Sequence, residues 1–188
     1  MPGLKLIRKA SRTNQMIIMI NKGPSEKGFM VCRDCGAAIP CVEKDNKKVL
    51  KNLQRPYISK FARSKCRHSY SEVNIGYDFV TDMLVLEFKL DDERINTSRV
   101  DNLWLGRASQ SLAEALRLAA SKYLDVEFTE LVTGYRHRQN EKGSFIDVYL
   151  YDSLSSGAGY AVSVSGELEH LLREVYNILN GCDCDSAC

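Results

Sequence analysis

The sequence has no apolar run approaching the roughly 20 residues that a membrane-spanning helix needs, and its best short run, Met16 to Ile20, is too brief for a signal-peptide core. We therefore expect a soluble, cytoplasmic protein without a membrane partner. The nucleotide signatures GxGxxG and GxxxxGK[ST] are missing: the nearest approach, Gly23 to Gly28, continues as Phe29-Met30 where a P-loop needs lysine. The GxSxG nucleophile elbow is absent too, and only three histidines exist, His68, His137 and His170. No ATPase or triad hydrolase is visible, and the chain is expected to be non-catalytic by itself.

The 188 residues include seven cysteines and suffice for one domain with a real core. Without an export signal, closely spaced cysteines point to metal ligation rather than disulfides. Cys32-Arg-Asp-Cys35-Gly36 has the form of a zinc knuckle, two thiolates two residues apart with glycine easing the turn. Cys66 and His68 are the nearest later donors and would complete a Cys3His site, with Cys41 as an alternative to His68. The terminal Cys182, Cys184 and Cys188 can wrap a second zinc ion, but four ligands are expected there and only three are present. A trimmed sequence, Cys41 or another group would account for the missing ligand.

Charge is unevenly placed. Residues 1–22 hold five Lys/Arg and no acid, and residues 44–68 hold nine Lys/Arg against Asp45 alone; residues 69–188 hold ten basic and twenty acidic side chains. The basic half is a candidate face for a polyanion such as DNA, through Lys47, Lys48, Lys51, Arg55, Lys60, Arg63 and Lys65. A solvated lysine-rich loop is the alternative reading.

Periodicity predicts strands at Met16–Asn21, Gly28–Val31, Phe79–Leu90, Val126–Val132 and Phe145–Tyr151. Helices are predicted from about Asn102 to Lys122, along Leu105, Ala108, Leu112, Ala115, Leu116, Ala119 and Tyr123, and around Leu168–Leu179, ended by Asn180-Gly181. Trp104 reads as a core or lid aromatic, Gly134–Lys142 as a polar hairpin-like connection, and His137 and His170 as surface residues. The expected fold is α+β: a mixed or antiparallel sheet with two packed helices and a cysteine-rich zinc-binding edge. Residues 1–77 form the basic part with CxxC and CxH, and residues 78–188 the α+β part ending in CxCxxxC, within one integrated domain. Between strand and helix, the loop Asp152–Tyr160 presents Gly157 and Gly159, either to cradle an anion or to let helix and sheet pack closely. A phosphodiester hydrolase using Asp152 as acid or metal ligand is the enzyme alternative.

The run strand-Asp-x4-Gly-Ala-Gly-Tyr-helix-Cys-x-Cys-x3-Cys resembles the zinc-binding C-terminal domain of MrfA-type superfamily 2 DNA helicases, also found in the DrmB component of DISARM phage defence. The resemblance extends upstream through Ile18–Gly36, Phe79-Val-Thr-Asp-Met-Leu-Val-Leu and Ser111-Leu-Ala-Glu-Ala-Leu. It implies an accessory domain with zinc held by the terminal cysteines, working with a helicase or defence-system subunit in DNA repair or antiviral defence. A protein-interaction module docking on a helicase subunit without touching DNA is the competing reading. Ser156 stands where the family usually has glycine, and the family's fourth cysteine would follow Cys188.

Overall fold

The computed structural model describes residues 3–42, 44–53, 67–91, 93–95, 97 and 103–181. The chain divides into two compact units, one made of Met1–Ile17 with Phe79–Cys188, the other of Ile18–Asp78. Two long strands, β1 (Leu4–Asn21) and β5 (Ile75–Leu90), belong to both.

In the larger unit a four-stranded sheet has the order β1-β5-β7-β6, where β6 is Leu131–Asn140 and β7 is Gly143–Asp152. β5 and β6 each pair antiparallel with β7. The alternation read in Phe79–Leu90 is realised: Leu84, Leu86, Phe88 and Leu90 are buried, and Ile146, Val148 and Leu150 bury beside them from β7. Against this face pack α2 (Leu103–Leu124), α3 (Tyr160–Gly166) and α4 (Leu168–Asn180). α2 is buried along Leu112, Ala113, Ala115, Leu116, Ala119 and Ala120, and the small alanines permit close approach to the sheet. Ala108 and Tyr123, expected on that stripe, are exposed.

The smaller unit holds a three-stranded antiparallel sheet, order β3-β2-β4, with β2 Phe29–Cys32, β3 Ala38–Pro40 and β4 Tyr70–Val73. A two-turn helix, α1 (Asn46–Asn52), covers it through the fully buried Leu50. Met30, Cys32, Ala37 and Cys41 complete this small core. The fold is thus α+β, with two antiparallel sheets and, among the described residues, four α-helices.

Three expectations change. Phe128–Glu130 is a short 3-10 turn, so the strand expected from Val126 begins only at Leu131. Gly134–Asn140, read as a connection, continues that strand to a turn at Glu141-Lys142; its polar character arises because Arg136 and Arg138 pair with Asp147 on the next strand. Trp104 is not a core residue but 64% exposed on the first turn of α2, with the Arg107 guanidinium 5.4 Å from its ring. No described helix is long and apolar enough to cross a membrane.

Candidate functional site

The CxxC turn grows directly from β2. Cys32 ends that strand, fully buried, and its N–H donates to the Ala37 carbonyl at 2.8 Å while its carbonyl accepts from Gly36 N–H at 2.8 Å. Gly36 adopts φ +70° with no atom near its missing side chain, so backbone conformation rather than space calls for glycine. The pairing of β2 with β4 sets Cys32 opposite Tyr70. Just beyond that pair, Arg33 N–H donates to the Ser69 carbonyl at 2.7 Å and Ser69 N–H donates to the Asp34 carboxylate at 2.7 Å. The turn therefore clasps the segment that carries His68, whose ring stacks on Tyr70 with centroids 6.2 Å apart.

Cys32, Cys35 and His68 lie at the same end of the small sheet, while Cys66 lies outside the described residues. Among the described residues no three His, Cys, Asp or Glu side chains gather into a metal-holding group. Cys41 is at the other end: its N–H donates to the Gly28 carbonyl at 2.9 Å, four positions along from Cys32. At about 3.3 Å per strand residue that is roughly 13 Å, too far for Cys41 to replace His68 around one ion. Burial, and then the nearby Glu72 carboxylate, push the Cys41 thiol pKa up, as suits a small apolar core residue.

Of the basic candidates, Lys47, Lys48 and Lys51 are exposed on α1. Arg55, Lys60, Arg63 and Lys65 lie outside the described residues, as do Cys182, Cys184 and Cys188.

The glycine loop is organised around a residue of its own. Asp152, at the end of β7, is completely buried, and Oδ2 accepts N–H bonds from Ala158 at 2.6 Å and Tyr160 at 3.1 Å. Oδ1 accepts from Ala161 at 2.8 Å. These donors are the loop and first-turn amides that a bound anion would use, and here the carboxylate takes them. Gly157 has φ +72°, and a Cβ there would stand 2.6 Å from Asp82 Cγ and 3.0 Å from its backbone nitrogen. Gly159 has φ +81° in open space, so its requirement is conformational only. Thr81 ties the loop down by donating its hydroxyl to the Asp152 carbonyl at 2.7 Å, and Ser156 N–H donates to the Val80 carbonyl at 2.6 Å.

Two further polar groupings went unseen in the sequence because their members are far apart along it. Asp147, nearly buried on β7, accepts from Arg136 at 2.7 Å and from Arg138 at 2.7 and 2.8 Å, and Arg138 also bonds Glu87. Burial alone would raise the Asp147 pKa, but the bonds and charges of Arg138 and Arg136 outweigh it and hold the carboxyl below its ordinary range. The Arg-x-Arg alternation in a polar segment was the available signal. Second, Ser109 Oγ lies 2.8 Å from His137 Nε2 and 2.8 Å from the Leu105 carbonyl. Which of the two donates in the Ser109–His137 bond depends on the imidazole tautomer. Burial lowers the His137 pKa.

Comparison with known proteins places this geometry. Residues 112–188, from the middle of α2 through the Asp152 loop and α4 to the terminal cysteines, match the family model of the MrfA Zn-binding domain. A curated relative, the Druantia protein DruE of Escherichia coli (strain UMEA 4076-1), is 35% identical over 190 residues. That match covers 93% of this chain and 10% of DruE, so the chain spans about a tenth of the relative's length. A solved structure of the DUF1998 helicase MrfA bound to DNA aligns over 65% of this chain and 16% of that one, at 13% identity and a TM-score of 0.43, a likeness too weak to carry an argument. Over residues 112–188 the chain is thus similar to the MrfA Zn-binding domain.

Proposed function

We propose that the chain is a zinc-stapled accessory module of a larger helicase, of the kind used in DNA repair or phage defence, and that it performs no catalysis of its own. The observation that carries this reading is the family match over residues 112–188, which ends on Cys182, Cys184 and Cys188. Those three thiolates would hold one zinc ion, and Cys32, Cys35, Cys66 and His68 a second, in each case fixing chain segments rather than activating water. The hydrolase alternative loses its main support, because both Asp152 oxygens are occupied by backbone N–H groups.

Within this reading the basic half contacts nucleic-acid phosphates. Lys47, Lys48 and Lys51, exposed on α1, are the described part of that face, and Arg55, Lys60, Arg63 and Lys65 extend it along the sequence. Removing three phosphate contacts in a Lys47→Gln, Lys48→Gln, Lys51→Gln variant should lower the slope of log K against log salt by about 2.7 on duplex DNA. Binding that is absent in the wild type, or identical in the variant across salt, rejects the nucleic-acid role and leaves a module that acts by protein contact. Zinc is tested by elemental analysis of the wild type with Cys32→Ser and Cys182→Ser. Two ions lost one at a time are expected, one ion lost in both variants means a shared site, and none in the wild type removes zinc from the proposal.

A further inference from the structure

The two residues between the knuckle cysteines do more than space them. Arg33 N–H donates to the Ser69 carbonyl at 2.7 Å, and the Asp34 carboxylate accepts the Ser69 N–H at 2.7 Å. Both backbone polar groups of Ser69 are therefore held from the turn between Cys32 and Cys35, and the Asp34 bond spans 35 positions of sequence. Asp34 is exposed, and Ser69 lies just outside β4, so neither the small core nor the pairing of β2 with β4 requires this bond.

What the bond fixes is the placing of His68. Cys32 and Tyr70 are directly opposite partners of β2 and β4, so their side chains leave the same face of the small sheet. The His68 ring stacks on Tyr70, with centroids 6.2 Å apart, and so lies on that face too. Cys35 and Tyr70 pack against the same cluster that buries Cys32. His68 has φ +54°, a left-handed conformation uncommon outside glycine, which persists where the surroundings fix it. The two bonds to Ser69, the next residue, supply that constraint.

We propose that Asp34 is a positioning residue for zinc: by holding Ser69 it keeps the His68 imidazole on the cysteine face, without itself touching the ion. The inference rests on the zinc-knuckle reading above, for which thiolate and imidazole are fitting donors. Groups that orient a ligand from behind are worth about 10- to 100-fold in metal affinity. Asp34 acts through the backbone of a neighbouring residue, so the lower end, about tenfold, is expected. Asparagine would keep an acceptor oxygen at this place, so Asp34→Asn separates the bond from the charge.

A zinc competition titration against a chromophoric chelator tests this, on the 188-residue chain carrying Cys182→Ser, Cys184→Ser and Cys188→Ser to remove the terminal site. Asp34→Ala should weaken zinc about tenfold. Asp34→Asn should bind like the parent, and Asp34→Ala added to His68→Ala should cost nothing further. With cobalt(II) in place of zinc, Asp34→Ala should alter the d–d envelope as His68→Ala does and keep the thiolate-to-cobalt charge-transfer bands. Unchanged affinity in Asp34→Ala, an equal weakening in Asp34→Asn, an equal loss with and without His68, or loss of the thiolate bands overturns the positioning role. A parent chain that binds no zinc overturns instead the knuckle reading beneath it.

Discussion

Replacing Asp152 by asparagine is the sharpest test of the loop, because the side chain keeps its shape and loses only its charge and one acceptor. In the folded protein the carboxylate is fully buried and accepts three backbone N–H bonds, from Ala158, Tyr160 and Ala161. An amide oxygen in the place of Oδ2 retains two of them as neutral bonds, each weaker by about 1 kcal/mol than its charge-assisted form. The amide nitrogen then faces the Ala161 N–H, donor against donor, and leaves it buried without an acceptor at about 2 kcal/mol. The total, about 4 kcal/mol, is a large share of the 5 to 15 kcal/mol that holds a domain folded. Urea unfolding followed by Trp104 fluorescence reads this unit, since the single tryptophan lies on α2. With a slope near 2 kcal/mol per molar, the midpoint should fall by about 2 M. A variant within about 1 kcal/mol of wild type would refute the claim that this carboxylate organises the loop.

Other consequences are smaller or more local. Gly157→Ala should destabilise by about 2 to 3 kcal/mol, because φ +72° disfavours any side chain and the Cβ meets Asp82; Ser156→Gly should stabilise by up to about 1 kcal/mol, since Ser156 sits at φ +77°. Asp147 has its folded pKa held down, so its stabilising effect is present above the ordinary carboxylate range and is lost as pH falls from about 4 downward. Thermal melts between pH 6 and 3 should show this loss, and Asp147→Asn should flatten it while lowering stability at neutral pH by weakening the bonds to Arg138 and Arg136.

The elements that came through clearly in the sequence are those whose burial follows one period. β5 and β7 alternate or run apolar, and α2 repeats its alanines and leucines at helical spacing, so each was visible within a few residues of its bounds. β6 was hidden because its outward positions carry Arg136 and Arg138, paired with Asp147 across the sheet, and an edge strand of that kind reads as a loop. α3 was missed for another reason. Its residues, Tyr-Ala-Val-Ser-Val-Ser-Gly, favour helix poorly, and its first turn is held by Asp152, a partner fixed only by the fold. Within the candidate site, the knuckle was legible from Cys-x2-Cys-Gly. That Cys41 stands away from it depends on the register of β2 with β3 and is invisible to spacing.

The chain path itself carries a last consequence. Residue 14 meets residue 82 within the larger unit and residue 19 meets residue 76 within the smaller, so β1 and β5 run antiparallel in each, and along the chain the Ile18–Asp78 unit is inserted between two strand segments of the larger one. Such a unit is an insertion with adjacent ends, and a two-residue Asn-Gly turn joining Ile17 to Phe79 would close the hairpin without it. The shortened protein should keep the Asp152 loop and the three larger-unit helices, with amide exchange across β5 and β7 unchanged. The cysteine knuckle and α1 lysines would leave together, as a cassette that can be moved to another hairpin.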